Sequence, residues 1–86
     1  MAKVTIRYWA AAKDAAGMPE ESVEASTVAD ALAVVLAGRA GDDRLRQVIA
    51  RASFLVNALP VRRDAHEGTL LEDGATIEVL PPFAGG

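Results

Sequence analysis

The last residues of the chain are the ones whose types and order could support a reaction. They read Leu80-Pro81-Pro82-Phe83-Ala84-Gly85-Gly86. Because glycine has no Cβ, Gly85 and Gly86 can pass through a narrow channel and adopt backbone angles closed to other residues. They would place the carboxylate of Gly86 inside the active site of another protein. Once adenylated with ATP, this carboxylate becomes an electrophile that a sulfur nucleophile can attack, which gives a thiocarboxylate on Gly86.

This chemistry would make the chain a covalent carrier of one sulfur atom. The sequence contains no cysteine, so disulfides and a cysteine nucleophile are excluded. The sulfur would have to be held by something other than a side-chain thiol, and Gly86 is the available place. The competing interpretation is a flexible tail that ends in Gly-Gly by coincidence. The strand and the Pro-Pro pair before the glycines favour the carrier.

The residues before the glycines indicate how the tail leaves the folded domain. Residues 76–80 have the pattern of a buried strand. Pro81 and Pro82 lack a backbone N–H and have a fixed φ, so they end strand pairing and direct the chain outward. Phe83 would be exposed in the free protein, and we expect it to lodge in an apolar pocket of a partner. The sequence therefore predicts a domain of residues 1–80 and a flexible reactive tail of residues 81–86.

Composition limits the classes of function. With 86 residues the chain forms one domain. Its net charge of −3 and the lack of a basic cluster argue against nucleic acid as a partner. His66 is the only histidine and has no second ligand near it at metal spacing, so we predict no metal site and a solvent-exposed loop position for this side chain.

The sequence also lacks the parts of a self-contained enzyme. It has no glycine-rich phosphate loop and no Ser/His/Asp set with positional support. No apolar stretch approaches the about 20 residues of a membrane span, and the start of the chain does not have the layout of a signal peptide. We expect a cytoplasmic protein on which enzymes act.

The first strand brings a second residue of interest. Residues 3–9 alternate with a period of two, which predicts a strand that turns Val4 and Ile6 toward the core. Trp9 then lies on the opposite face or at the strand end. An exposed tryptophan suggests a contact site, because this residue is enriched at interface hot spots. The alternative is a ring folded over residues 10–12.

The remaining pattern predicts two helices and further strands. Thr27 is a predicted N-cap, and the helix after it has one apolar stripe. A shorter second helix carries Arg44, Arg46 and Arg51, which we interpret as a solvated face. Further elements are a second strand at 20–25, a central strand at 54–57, a turn at 58–60, a brief return strand from Val61 and an Asp73-Gly74 turn before the last strand.

This order of elements is typical of an α+β domain. It predicts a mixed sheet of four to five strands, with one main helix and a short second helix on one face. The order is consistent with the ubiquitin-like β-grasp, in which the first and last strands pair in parallel at the centre. The pattern alone would also allow other small α+β sandwiches.

The chain resembles a known family. Residues 71–86 are similar to the C-terminus of the small subunit of molybdopterin synthase, a family of ubiquitin-like sulfur carriers that ends in an Asp-Gly turn, a hydrophobic strand, Pro-Pro and Gly-Gly. The start of the chain is similar to a second family pattern, in which an aromatic residue and Ala are followed first by Arg-Glu and then by Gly. In this chain Lys and Asp stand in place of the family's Arg and Glu. The matching residues are Tyr8-Trp9-Ala10, Lys13-Asp14 and Gly17, and Val56-Asn57 matches a further short segment.

The resemblance implies a β-grasp fold and a set of partners. A ubiquitin-activating-type adenylyltransferase would adenylate Gly86 with ATP, and a sulfurtransferase would supply the sulfur. The tail would then insert into the large subunit of a heterotetrameric synthase, where catalytic residues are expected, and donate sulfur to the dithiolene of the molybdenum cofactor precursor. Gly85 supplies reach, Pro81 and Pro82 set the exit direction, and Trp9 and Leu80 are the candidate docking residues.

Two alternatives stay open. The same tail could serve thiamine or cysteine synthesis or a protein-modifier role, although the Pro-Pro pair favours the molybdopterin interpretation. From a different class, the chain could be a β-grasp binding module whose tail has no chemistry. In that case removal of Gly85 and Gly86 should leave partner binding intact.

Overall fold

The computed structural model describes residues 1–39 and 43–82. Within these ranges the chain forms five strands, three α-helices and a short 3-10 turn at Arg63–Ala65. The elements in chain order are β1 (Ala2–Tyr8), α1 (Ala11–Ala16), β2 (Glu20–Ala25), α2 (Val28–Ala37), α3 (Asp43–Arg51), β3 (Ser53–Val56), β4 (Leu59–Val61) and β5 (Thr76–Leu80).

The five strands of the described residues form one mixed sheet. Its order is β2-β1-β5-β3-β4, so the last strand lies in the middle. β5 pairs in parallel with β1, in a register that sets Ile6 opposite Ile77 and Tyr8 opposite Val79. The other neighbouring pairs are antiparallel. This arrangement is the β-grasp and confirms the predicted α+β plan.

The period-two pattern of β1 divides the sheet into two faces. Val4, Ile6 and Tyr8 are buried, and Lys3 and Arg7 between them are exposed. The buried side chains form the core with apolar residues of all three helices and of the other strands, including Ala15, Val28, Val35, Leu45, Phe54, Ile77 and Val79. We call the opposite side the open face, and its residues on the three middle strands are Lys3, Thr5, Arg7, Ser53, Leu55, Thr76, Glu78 and Leu80.

The helices begin and pack as their sequences predict. The hydroxyl of Thr27 accepts a hydrogen bond from the backbone N–H of Asp30 at 3.1 Å, which caps α2. One stripe of α2 is buried, formed by Val28, Ala31, Leu32 and Val35. In α3 the buried residues are Leu45 and Ile49. No helix among the described residues is long and apolar enough to cross a membrane.

The hairpin after β3 corrects one prediction. Leu59 and Pro60 belong to strand β4, and the turn is formed by Asn57 and Ala58. Both turn residues have positive φ, 49° and 69°, as a two-residue hairpin turn of type I′ requires. The side chain of Asn57 accepts a hydrogen bond from the N–H of Thr76 at 3.0 Å, which ties the turn to the start of β5.

His66 is also placed differently from the prediction. The residue is half-buried rather than solvent-exposed. Its ring meets Phe54 edge-on, with ring centroids 4.8 Å apart and an interplanar angle of 87°. Its carbonyl accepts a hydrogen bond from the N–H of Ala29 at 3.1 Å. The residue therefore helps to fix the start of α2 against the sheet.

The strained turn gives a test of the fold. We expect Ala58→Gly to raise the free energy of unfolding by about 0.5–1 kcal/mol, because the left-handed conformation costs alanine more than glycine's extra freedom costs in the unfolded chain. Gly74 has φ of 88° and open space around the missing Cβ, so Gly74→Ala is the matched reverse change and should destabilise the domain. Urea unfolding measures both. A destabilised Ala58→Gly variant would contradict the turn assignment.

Candidate functional site

The middle strand of the sheet leads directly into the proline pair. Ile77 and Val79 of β5 are fully buried, and the strand is hydrogen-bonded to β1 on one side and β3 on the other. After Leu80 the chain continues through Pro81, which is buried, to Pro82, which is exposed. The base of the tail is therefore fixed by a strand that pairs on both sides and sends two side chains into the core.

Four of the predicted site residues fall beyond the part of the chain that is described. These are Phe83, Ala84, Gly85 and Gly86. The roles assigned to them from the sequence stay predictions. The described part of the candidate site consists of Trp9, Leu80, Pro81 and Pro82.

The structure brings Trp9 and Leu80 to the same end of the open face. Tyr8 lies opposite Val79 in the parallel pair, and the N–H of Trp9 bonds to the carbonyl of Val79 at 3.2 Å. Since the carboxyl ends of parallel strands lie at one edge of a sheet, the two residues come from neighbouring strands at the point where Pro81 leaves. The residue surface of Trp9 is 42% exposed and Leu80 is half-buried.

The indole ring of Trp9 is held by charged neighbours on the open face. Its Nε1 donates a hydrogen bond to Oε2 of Glu78 at 3.0 Å. The guanidinium carbon of Arg7 lies 5.3 Å from the ring centroid, within the range of a cation–π contact. Arg7 also approaches Glu20 on β2 at 3.9 Å. These contacts place an ordered aromatic ring beside the exit of the tail.

Leu55 adds apolar surface beside Trp9 and Leu80, the two docking residues predicted from the sequence. Leu55 lies opposite both Glu78 on β5 and Pro60 on β4, so it shares the open face with Leu80. It is half-buried, and Pro60 is exposed. The signal for Leu55 was its position one residue after the buried Phe54, which puts it on the other face of the same strand.

A polar network lies on the core side of the sheet at the end of β1, next to Trp9 in the chain. The phenol of Tyr8 donates to Oε2 of Glu21 at 2.6 Å, and Nη2 of Arg39 donates to the same oxygen at 2.7 Å. The arginine also donates to the carbonyls of Val35 and Ala16. The network joins β1, β2 and the ends of α1 and α2. It was not predicted, because its members are far apart in sequence and share no local pattern.

This network perturbs the ionisation of Tyr8. Burial raises the pKa of the Tyr8 phenol well above its ordinary value of 10.0. The hydrogen bond to Glu21 and the negative charge of that carboxylate raise the pKa further, because both favour the neutral phenol. The positive charge of Arg39 acts in the opposite direction and is the smaller effect. The phenol therefore stays a hydrogen-bond donor throughout the physiological range.

The arginines of α3 do not share one solvated face. A groove of about 630 Å³ between α1 and α3 is lined by Arg44 and Arg51 together with Pro81 and Pro82. Arg46 faces a separate groove beside α2 and approaches Asp43 at 3.9 Å. All three arginines are exposed, as predicted, but they border two different grooves. Two of them lie beside the base of the tail.

The described part of the site is suited to positioning the tail. Within residues 1–39 and 43–82, no group of three or more His, Asp or Glu side chains could hold a metal ion. What the site provides is a rigid base for the tail, an ordered aromatic ring and an adjoining apolar surface. Such an arrangement can dock on another protein and present the chain that follows Pro82.

Comparison with known proteins identifies a family and several solved structures that are similar to this chain. The model of the ThiS family matches residues 6–86. The small archaeal modifier protein 1 from Methanosarcina acetivorans is similar over 100% of this chain and 98% of its own, with 28% identity and a TM-score of 0.83. No curated protein sequence matches the chain closely.

Two further solved structures show the same fold. A chain of the complex of subunits 1 and 2 of the molybdopterin-converting factor from Helicobacter pylori has 20% identity and a TM-score of 0.72, with 98% and 99% of the two chains covered. The thiamine biosynthesis protein ThiS from Geobacter metallireducens has 18% identity and a TM-score of 0.59, again with 98% and 99% covered.

The perturbed phenol gives a test of the network behind Trp9. Because the pKa of Tyr8 is higher in the folded than in the unfolded chain, its contribution to stability is complete below about pH 10 and is lost as the pH rises above that value. We expect the free energy of unfolding to fall by up to about 1.4 kcal/mol per pH unit there from this group. In the Tyr8→Phe variant, the free energy of unfolding should fall less steeply as the pH rises above about 10.

The absorbance of the phenolate reports the same ionisation directly, since Tyr8 is the only tyrosine in the chain. In the folded protein the absorbance change should begin well above pH 10 and coincide with unfolding. A reversible midpoint near 10 in the folded protein would contradict the network.

Proposed function

The chain belongs to the ThiS family of ubiquitin-like sulfur carriers, and from this premise we propose that it is the small subunit of a molybdopterin synthase. Gly86 is its reacting residue, and the rest of the chain serves to present that residue to successive enzymes. The observation that carries the proposal is the direct continuation of the buried middle strand into Pro81 and Pro82, beside an exposed aromatic ring.

The proposed loading takes place in two steps. In the first, the carboxylate of Gly86 attacks the α-phosphorus of ATP, so that pyrophosphate leaves and an acyl-adenylate forms. In the second, hydrosulfide supplied by a sulfurtransferase attacks the acyl carbon. A C–S bond then forms, the C–O bond to AMP breaks, and Gly86 becomes a thiocarboxylate. ATP and sulfur are substrates of these enzymes and not resident cofactors of the chain.

The proposed delivery takes place on the large subunit. The tail of residues 81–86 enters the active site of that subunit, where the thiocarboxylate sulfur forms a C–S bond to the molybdenum cofactor precursor. Water then cleaves the thioester bond to Gly86, so that the sulfur stays on the precursor as part of the dithiolene and Gly86 returns to a carboxylate. Gly85 provides passage through a narrow channel because it has no Cβ. Phe83 binds in an apolar pocket of the large subunit. Catalytic residues for this step lie on the large subunit, as is usual for the non-catalytic small carriers of this family.

Docking on the large subunit uses the open face near the exit of the tail. Trp9, Leu80 and Leu55 supply apolar area there, and tryptophan is among the residues that most often dominate binding energy. The Helicobacter pylori relative forms a complex of subunits 1 and 2, which supports a large-subunit partner for this chain. We further propose that the complex is a heterotetramer in the cytoplasm.

A second candidate is a protein-modifier role. The relative with 28% identity over the whole chain is a small archaeal modifier protein. In that case the activated Gly86 would form an amide bond with an amine of another protein, and AMP would leave. A carrier for thiamine or cysteine synthesis would share the sulfur loading but deliver to a different acceptor. A binding module without tail chemistry would show neither reaction.

Intact mass spectrometry tests the loading. After incubation with ATP, a competent activating enzyme and a sulfur donor, we expect a mass gain equal to the exchange of one oxygen for one sulfur. Fragmentation should locate the gain at Gly86, because the acyl-adenylate forms there. A variant without Gly85 and Gly86 is the control and should gain nothing. No gain in the full chain with several competent activating enzymes would favour the binding module.

The length of the tail tests the delivery. One glycine added after Gly86 moves the carboxylate by about 3.3–3.6 Å, and a misplacement of about 1 Å can cost about 100-fold in rate. We therefore expect transfer of sulfur to the precursor to be abolished. The matched control is Ala84→Gly, which keeps the length of the tail and should keep most of the transfer. Full transfer activity in the lengthened variant would rule out this mechanism.

A further inference from the structure

The backbone of Trp9 is fixed from both sides. Its N–H bonds to the carbonyl of Val79 at 3.2 Å, which continues the pairing of β1 with β5. Its carbonyl accepts from the N–H of Ala12 at 2.9 Å, which belongs to the first turn of α1. The next residue, Ala10, has a positive φ of 49°. The residue therefore lies where the chain turns sharply from the sheet into a helix.

The side chain of Trp9 is ordered by a carboxylate on the neighbouring strand. Glu78 accepts from the indole Nε1 at 3.0 Å, so the only polar group of the ring is satisfied within the chain itself. The guanidinium of Arg7 lies 5.3 Å from the ring centroid. Even so, 42% of the residue surface is exposed. The ring thus has a hydrogen-bond acceptor within the chain and still presents apolar area at the surface.

Glu78 is half-buried on the open face of the sheet. It lies on the middle strand of the sheet, opposite Arg7 on β1 and opposite Leu55 on β3. An apolar residue there would join Leu55 and Leu80 in a larger hydrophobic patch. The carboxylate instead bonds to the indole N–H. Its position is explained if orienting the ring is its task.

We propose that Glu78 is a positioning residue that orders the Trp9 ring before the open face docks on the large subunit. The docking role rests on the proposed function. A partner of matching shape would offer an apolar pocket for the ring and would not need an acceptor for the indole N–H. Because the ring is already ordered, docking does not lose the entropy of fixing it, and disorder of the ring should weaken binding about two- to tenfold.

Fluorescence of the isolated protein tests the ordering, since Trp9 is the only tryptophan. We expect Glu78→Ala to lower the fluorescence anisotropy of the indole by giving the ring fast local motion. Glu78→Gln retains an acceptor oxygen and should keep the anisotropy near that of the unchanged protein. The matched control is Glu24→Ala, which removes the same charge from β2 opposite Lys3 and should have no effect. Unchanged anisotropy in Glu78→Ala would overturn the proposal.

A double-mutant cycle tests whether the ordering matters for docking. The dissociation constant for the large subunit should rise about two- to tenfold in Glu78→Ala and recover in Glu78→Gln. In a Trp9→Phe background the ring has no N–H to bond, so Glu78→Ala should produce little further change. An equal loss in both backgrounds would mean that Glu78 contacts the partner directly, which would overturn its assignment as a positioning residue.

The failure of this proposal can be told apart from failure of the proposed function. Unchanged docking in Trp9→Ala would overturn the role of the ring, while loading of Gly86 with sulfur would still be observed. Absence of sulfur loading would instead remove the proposed function and leave the fluorescence result standing as a property of the isolated domain.

Discussion

The parallel pairing of β1 with β5 is the interaction on which the rest of the structure depends. It joins the two ends of the chain in the middle of one sheet, with Ile6 opposite Ile77 and Tyr8 opposite Val79. Since two parallel strands end at the same edge, Trp9 and Pro81 leave the sheet side by side. The tail therefore starts from the middle strand of the sheet and next to the exposed Trp9.

The two faces of the sheet have different tasks. The core face carries the helices and the hydrogen-bonded set of Tyr8, Glu21 and Arg39, which fixes the strand end that precedes Trp9. The open face carries the charged pair that orients the indole ring and the apolar residues around it. A single residue step from Tyr8 to Trp9 thus passes from the stabilising network to the docking surface.

Local patterns predicted most of the fold. Alternation placed Val4 and Ile6 in the core, and the Thr27 cap and its apolar stripe located α2. The turn at Asn57 and Ala58 was missed because alanine gives no sign of a positive φ. The ring contact with Glu78 could not be predicted either, since it joins residues that are 69 apart in sequence. The reactive role of Gly86 came from residue types and family resemblance alone.

The delivery of sulfur is the central claim, and a single-turnover experiment tests it most directly. Protein already loaded with the thiocarboxylate would be mixed with the large subunit and the cofactor precursor, and its intact mass followed with time. The account predicts that the sulfur leaves Gly86 as the dithiolene product forms, and that omission of the large subunit stops both changes. Retention of the sulfur on Gly86 in the complete mixture would contradict it. Transfer of the sulfur to a thiazole-forming enzyme, or an amide bond from Gly86 to another protein, in place of the dithiolene product would contradict it as well.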